Sequence, residues 1–130
     1  MRKPTLKGIK KKADKVFSEY IRRLKSDKNG WGTCVSCGKK AHWKELQCGH
    51  YFSRGRLATR FHDDNANLQC SGCNIFKHGN YTAYAAFMFK EYGSTFMEDL
   101  ENLSRKPTKI TIPEYQDMIV GWQTMMEKMK

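Results

Sequence analysis

Four cysteines in two closely spaced pairs are the residues whose chemistry the sequence indicates most directly. Cys34 and Cys37 form one C-x-x-C pair, Cys70 and Cys73 form the other, and 32 residues separate the two pairs. Two such pairs supply four thiolates, the ligand set of a closed tetrahedral Zn²⁺ site. We therefore predict structural zinc bound by these four side chains, which would hold residues 34–73 together. A redox-active C-x-x-C is the alternative, and two pairs in one small chain disfavour it.

The fifth cysteine, Cys48, falls between the two pairs. It could replace one of the four ligands, but a partly buried cysteine on a strand is the simpler interpretation. A closed four-thiolate site is structural and does no chemistry of its own. Any reaction must therefore depend on other residues of the insert between the pairs.

The insert and its exit contain one histidine and two asparagines at notable positions. His50 follows Cys48-Gly49, Asn65 comes 15 residues later, and Asn74 directly follows Cys73. A lone histidine at a strand end is usually a satisfied polar residue. A histidine, an asparagine and a second asparagine immediately after a C-x-x-C pair form a more specific pattern.

This pattern resembles the ββα-metal, or HNH, nuclease family, particularly zinc-clipped members such as phage endonuclease VII. The resemblance implies that His50 is the general base on a strand and that Asn65 braces the following loop. It also implies that Asn74, at the start of a helix, binds one divalent metal ion. Lys77 matches a frequent helix residue of that family.

A closer resemblance extends over nearly the whole chain. The runs CVSCG, CGHYFSRG, ATRF, DDNANLQCSGCN and KHGN occur in order, with gaps similar to those of the NinG/Rap family of lambdoid-phage recombination proteins. The basic helix before them and the late T-x-P-E helix are also similar. The resemblance implies a structure-specific DNA endonuclease that acts on branched recombination intermediates such as Holliday junctions. Composition and periodicity alone do not indicate branch recognition.

One position departs from the broader HNH pattern and affects the catalytic metal. Many HNH enzymes have an aspartate directly before the base histidine, where this chain has Gly49. The second metal ligand is therefore open. His78 lies four residues after Asn74 and would share its helix face, and Asp63 and Asp64 are carboxylate alternatives.

The chemistry implied for these residues is phosphodiester hydrolysis. Neutral His50, with a reference pKa of about 6.5, can take the proton of a water molecule at physiological pH. Mg²⁺ or Mn²⁺ held by Asn74 would stabilise the scissile phosphate and the leaving oxygen as a Lewis acid. Mg²⁺ keeps several waters, so few protein ligands suffice. Asn65 would fix the loop by side-chain to backbone hydrogen bonds.

The distribution of charge indicates a polyanionic partner. The chain of 130 residues has 24 Lys and Arg against 13 Asp and Glu, and its net charge is +11. Residues 1–28 carry a net charge of +8, residues 29–80 carry +4, and residues 81–130 carry −1. Nucleic acid is the favoured partner, although solvated loop arginines and a solvated lysine tail are alternatives. The predicted DNA contacts are Arg54, Arg56, Arg60, Lys77, Lys11, Lys12, Lys15, Arg22 and Arg23.

The elements that must position these residues follow from periodicity and turn signals. Apolar residues at helical spacing predict a basic amphipathic helix over Ala13–Lys25, after a flexible segment 1–10. The insert predicts loops, strands near Leu46–Phe52 and Asn67–Cys70, and the start of a helix.

Three further helices are predicted beyond the insert. The first spans Tyr81–Tyr92 and ends at Gly93. Capping boxes at Thr95/Glu98 and Thr111/Glu114 begin the other two, and the last continues to the C-terminus. Its apolar stripe favours core packing, with a homodimer contact or a ligand site as alternatives.

The whole pattern predicts an α+β fold with a small zinc-stapled ββα-metal (HNH-like) core. We expect a basic tail and helix over 1–28, the nuclease core over 29–92 and a helical extension over 93–130. No apolar run is long enough for a membrane span, and no secretory signal is evident at the N-terminus, so a cytoplasmic location is expected. A non-catalytic zinc module that binds DNA without cutting it is the alternative function.

Overall fold

The computed structural model describes residues 3–129 and combines helices with four short strands in a mixed α+β architecture. The elements are α1 (Leu6–Leu24), β1 (Trp31–Thr33), β2 (Lys40–His42), β3 (Gln47–His50), α2 (Leu57–Arg60), β4 (Ala66–Gln69), a π-helical turn (Gly72–Phe76), α3 (Tyr81–Tyr92), α4 (Ser94–Ser104) and α5 (Ile112–Glu127).

Helix α1 is longer than the periodicity predicts. It begins at Leu6, because Thr5 caps it: the Thr5 hydroxyl accepts a hydrogen bond from the Gly8 N–H at 3.0 Å. The prediction of a flexible segment 1–10 is therefore wrong from Leu6 onward, and Met1 and Arg2 lie outside the described residues. The apolar face of the helix buries Phe17 and Ile21.

Two separate antiparallel strand pairs form the β structure of the described chain. Strands β3 and β4 pair with Gln47 opposite Gln69 and His50 opposite Ala66. They overlap the two predicted strands, although β3 is shorter than predicted and β4 starts one residue earlier. The β1–β2 hairpin and the short helix α2 were not predicted individually, because elements of three or four residues show no periodicity.

The chain after Cys70 forms a single π-helical turn, which differs from the predicted helix start. This turn ends at Phe76, and His78 and Asn80 then adopt left-handed backbone conformations with φ of 49° and 45°. Regular helix resumes only at Tyr81.

The C-terminal helices begin and end largely where the sequence places them. Helix α3 ends before Gly93, as predicted, but the predicted capping box of Thr95 is wrong. Helix α4 starts at Ser94 directly after Gly93, which occupies the cap position without a side-chain hydrogen bond. The Thr111/Glu114 capping box is present, with both of its reciprocal hydrogen bonds.

The apolar stripe of α5 packs against α1, so the core interpretation describes most of it. Tyr115 and Ile119 share a buried cluster with Ala13, and Met126 shares another with Phe17. Met125 of this stripe is 43% exposed and lies outside both clusters. Segments 1–28 and 93–130 therefore share a core. No helix within residues 3–129 has the length and apolarity to cross a membrane.

Candidate metal centre and active-site cleft

The four paired cysteines converge on one point. The Sγ atoms of Cys34, Cys37, Cys70 and Cys73 all lie within 4.8 Å of one another, and Cys37 Sγ is 3.6 Å from Cys70 Sγ. A tetrahedral ion with metal–sulfur bonds of about 2.3 Å requires sulfurs about 3.8 Å apart. The cysteines are therefore positioned to hold a metal ion.

Backbone hydrogen bonds bring the two cysteine pairs together. Strand β1 leads directly into Cys34, and β4 leads directly into Cys70. The Val35 N–H donates to the Leu68 carbonyl at 2.9 Å, which joins the two segments beside the sulfurs. Cys48 lies outside the four-sulfur group, on β3, where burial raises the pKa of its thiol to about 12.

A second site is a cleft of about 460 Å³ between α1, β3 and the turn after Cys73. His50, Arg54 and Asn74 line this cleft, together with Asp14 and Gln47. The fold thus places His50 and Asn74, which are 24 residues apart in the chain, around the same cavity.

His50 is partly buried at the end of β3, and one of its ring nitrogens is already engaged. His50 Nε2 lies 2.9 Å from the Arg60 carbonyl oxygen. Since a carbonyl only accepts, Nε2 must carry the proton, which leaves Nδ1 with the free lone pair. Burial lowers the pKa of His50, the hydrogen bond to Arg60 raises it, and the charges of Arg54 and Arg60 lower it further. The net lowering favours the neutral imidazole.

Asn74 is oriented by a neighbouring strand. Its Nδ2 donates to Gln47 Oε1 at 2.7 Å. The amide oxygen, Oδ1, has no hydrogen bond within the described part of the chain. This is the atom through which an asparagine ligates a hard divalent cation.

Asn65 is fully buried and connects the two ends of the loop that follows β3. Its Oδ1 accepts from the Phe52 N–H at 2.8 Å, and its Nδ2 donates to the carbonyls of Phe52 and Thr59 at 3.0 and 3.1 Å. The loop between these contacts carries Arg54 and Arg56.

A steric contact that the sequence does not reveal explains why position 49 is a glycine. A Cβ atom at this position would overlap the buried Gln69 side chain. An aspartate before His50 would therefore require Gln69 to move. In this chain the position is closely packed against the Gln69 side chain.

The other candidate metal ligands lie away from the cleft lining. Because the π-helical turn ends at Phe76, His78 does not share a helix face with Asn74, contrary to the expectation. Asp63 accepts a hydrogen bond from the Tyr20 hydroxyl at 2.9 Å, and Asp64 accepts one from Tyr92 at 3.4 Å.

The arginine side chains of the loop differ in how available they are to contact a phosphate group. Arg54 is exposed and lines the cleft. Arg56 donates to the Ser104 hydroxyl at 2.8 Å and lies over the Phe52 ring. Arg60 forms a two-pronged ion pair with Asp14.

The basic residues outside the loop divide in the same way. Lys11, Lys12 and Lys15 are exposed along α1, and Lys77 is exposed beyond the π-helical turn. Arg22 and Arg23 instead lie over the Trp43 ring at 5.3 and 5.5 Å, so part of their surface is committed to packing.

The comparisons with known proteins identify one family. A family model described as Bacteriophage Lambda NinG protein matches residues 2–130. The chain belongs to this family. No curated protein and no solved structure matches it. The NinG match includes both the four-cysteine centre and the residues that line the cleft.

Sequence reasoning missed Asp14 and Gln47, which are among the residues that line the cleft of this NinG-family chain. Asp14 reaches it from α1 and Gln47 from the start of β3. The available signal for Asp14 was that it is the one acidic residue within positions 1–18 of a strongly basic segment. Gln47 offered no comparable signal, because its role depends on Asn74, which is 27 residues away in the chain.

Proposed function

We propose that this NinG-family protein is a metal-dependent DNA endonuclease of the ββα-metal (HNH) type. The observation that carries the proposal is the cleft that His50, Asn74 and the exposed Arg54 line together, with His50 Nδ1 and Asn74 Oδ1 free of hydrogen bonds within the described chain. The antiparallel pair β3–β4, followed by the helical turn that bears Asn74, agrees with a ββα core.

The protein's own groups have separate tasks in this proposal. His50 Nδ1 takes the proton of the attacking water, while the Arg60 carbonyl holds the ring in the required tautomer. Arg54 neutralises phosphate charge, for which a guanidinium is well shaped. Asn65 fixes the loop that carries Arg54.

The cleft also offers an oxygen donor for a divalent ion. Asn74 Oδ1 would hold Mg²⁺ or Mn²⁺, whereas the Asp14 carboxylate in the same lining is already paired with the Arg60 guanidinium. When bound, the ion supplies Lewis-acid stabilisation of the phosphate and leaving oxygen. The small donor set fits Mg²⁺, which retains several waters in protein sites.

The four-cysteine centre completes the proposal as a structural Zn²⁺ site. Four thiolates in tetrahedral reach favour Zn²⁺ and leave no coordination position open for catalysis. The substrate class is branched recombination DNA in the cytoplasm of a phage host, as the resemblance implies.

A homodimer contact through the C-terminal helices would have to use side chains of α5 that remain exposed, such as Val120 and Met125.

A labelled four-way junction and a linear duplex test this proposal directly. We expect the zinc-loaded protein to cut the junction in Mg²⁺ or Mn²⁺ and to stop when EDTA is added under conditions that leave zinc bound. Junction binding without cleavage in either metal would contradict the proposal and support the alternative, a DNA-binding module that holds junctions uncut.

A further inference from the structure

Three large apolar side chains are exposed on the segment that begins in the cleft lining and continues to the start of α3. Phe76 is 78% exposed, Ile75 is 54% exposed and Tyr81 is 48% exposed. Ile75 and Tyr81 line the cleft itself, and Phe76 follows Ile75 at the end of the π-helical turn. Exposed apolar groups that cluster beside a functional cleft mark an interaction surface more often than isolated ones do.

The backbone that carries Phe76 is tied to the four-cysteine centre. The Gly79 N–H donates to the Cys73 carbonyl at 2.8 Å, and the Gly79 carbonyl accepts from Gln69 Nε2 at 2.7 Å. Asn80 Nδ2 lies 3.4 Å from Cys73 Sγ. The exposed ring therefore projects from an anchored turn, as a side chain that must push into a partner requires.

The charges around this apolar tip indicate the kind of partner. Lys77 follows Phe76 and is exposed, and Arg54 lies in the adjoining cleft. A partner that meets this surface would combine negative groups with an apolar or aromatic centre. Phosphates that flank stacked bases have this arrangement, and apolar side chains insert between base steps in several DNA-bending proteins.

We propose that Phe76, supported by Ile75, is a wedge that inserts between bases where DNA stacking is interrupted at a branch point. The inference rests on the proposed function and names the residue that would give it branch selectivity. Insertion into a continuous duplex requires unstacking a base step, whereas a branch point has already lost part of that stacking. The wedge thus favours branched over linear DNA.

A junction that carries 2-aminopurine at the branch point tests the wedge without cleavage. The measurement is made in EDTA at a concentration that leaves zinc bound, because 2-aminopurine fluorescence rises when the base is unstacked. We expect wild type to raise this fluorescence, Phe76→Ala to abolish most of the rise, and Phe76→Leu to retain part of it. Phe89→Ala is the matched control, since Phe89 is 49% exposed on α3, away from the cleft lining.

The same variants should differ in selectivity. We expect Phe76→Ala to lose about fivefold or more of the preference for junction over duplex, a loss comparable to that of one base-stacking contact. Zinc content and melting temperature should match wild type, because the removed ring is exposed. A Phe76→Ala protein with wild-type fluorescence and selectivity would overturn the wedge.

The outcomes separate this inference from the proposed nuclease. Junction cleavage by wild type without any fluorescence rise would contradict the wedge and leave the nuclease proposal intact. A rise that depends on Phe76, in a protein that never cuts DNA, would contradict the nuclease and support the wedge.

Discussion

Two hydrogen bonds determine which polar side-chain atoms of His50 and Asn74 are left without a partner in the described chain. The Arg60 carbonyl occupies His50 Nε2 and leaves Nδ1 as the proposed proton acceptor. Gln47 occupies Asn74 Nδ2 and leaves Oδ1 as the proposed cation ligand. Each hydrogen bond occupies the nitrogen atom that could otherwise contact a substrate or an ion in place of the proposed atom. Both side chains are therefore oriented before a substrate arrives.

The acidity of His50 should determine how cleavage depends on pH. Burial lowers the pKa of His50 below its ordinary value of about 6.5, so the neutral base persists as the pH falls. We expect the single-turnover cleavage rate to fall as the pH is lowered, and the midpoint of this acidic limb should lie below pH 6.5. An acidic limb centred above pH 7 would contradict this assignment of the base.

Residue spacing predicts part of this chemistry and misses the rest for a physical reason. The C-x-x-C pairs are local signals, so four metal ligands could be predicted from the sequence alone. The steric conflict at Gly49 depends on Gln69, and the orientation of Asn74 depends on Gln47. Such contacts arise only when distant segments pack together.

Helix α1 supplies one wall of the cleft and helps to hold its loop. Asp14 on α1 pairs with the Arg60 guanidinium, while the Arg60 backbone carbonyl holds His50 Nε2. Arg60 also donates to the Arg54 carbonyl at 2.7 Å. The pair therefore connects the basic helix with the residues around the proposed base.

Replacing Asp14 by asparagine tests this connection. We expect Asp14→Asn to cost roughly 1 kcal/mol of stability or less, because the pair is partly exposed. We also expect the acidic limb of the rate to shift to lower pH, since the Asp14 charge raises the pKa of His50. Equilibrium unfolding and pH–rate profiles measure the two effects.

The matched control for this variant is Asp117→Asn, an exposed aspartate on α5. It should change neither stability nor the pH profile. If Asp14→Asn also left the acidic limb in place, Asp14 would have only a structural role.

Periodicity predicts the long elements well and the short ones poorly. Helix α3 and the Thr111/Glu114 box of α5 follow local rules, and the structure agrees with both. The capping box predicted at Thr95 does not form. Gly93, whose φ is 84°, occupies the cap position, so α4 begins at Ser94 directly after α3. The extra length of α1 comes from the Thr5 cap and from Ile9 packing near α5.

At the scale of the whole molecule, the buried apolar residues of the described chain form several small clusters. The cluster around the metal centre contains Ala41, Leu46 and Leu68 beside the cysteines. Three aliphatic side chains provide little apolar burial, so a bound metal would contribute much of the local folding free energy.

Removal of one proposed ligand tests this dependence. We expect Cys70→Ser to lose zinc and to unfold residues 31–80, because metal binding and folding are coupled there. Cys48→Ala is the control and should retain zinc, since Cys48 lies outside the four-sulfur group. Metal analysis and hydrogen exchange distinguish the two variants, and unchanged melting of Cys70→Ser would rule out a structural metal.

The single-turnover rate of junction cleavage by His50→Ala tests whether His50 is the general base of a metal-dependent nuclease. We predict a loss of about 10²–10⁴-fold relative to wild type, with zinc content, melting temperature and junction affinity retained. His62→Ala, which alters a histidine outside the cleft lining, should cleave normally. A folded, zinc-loaded His50→Ala protein that cuts junctions at the wild-type rate would contradict the account.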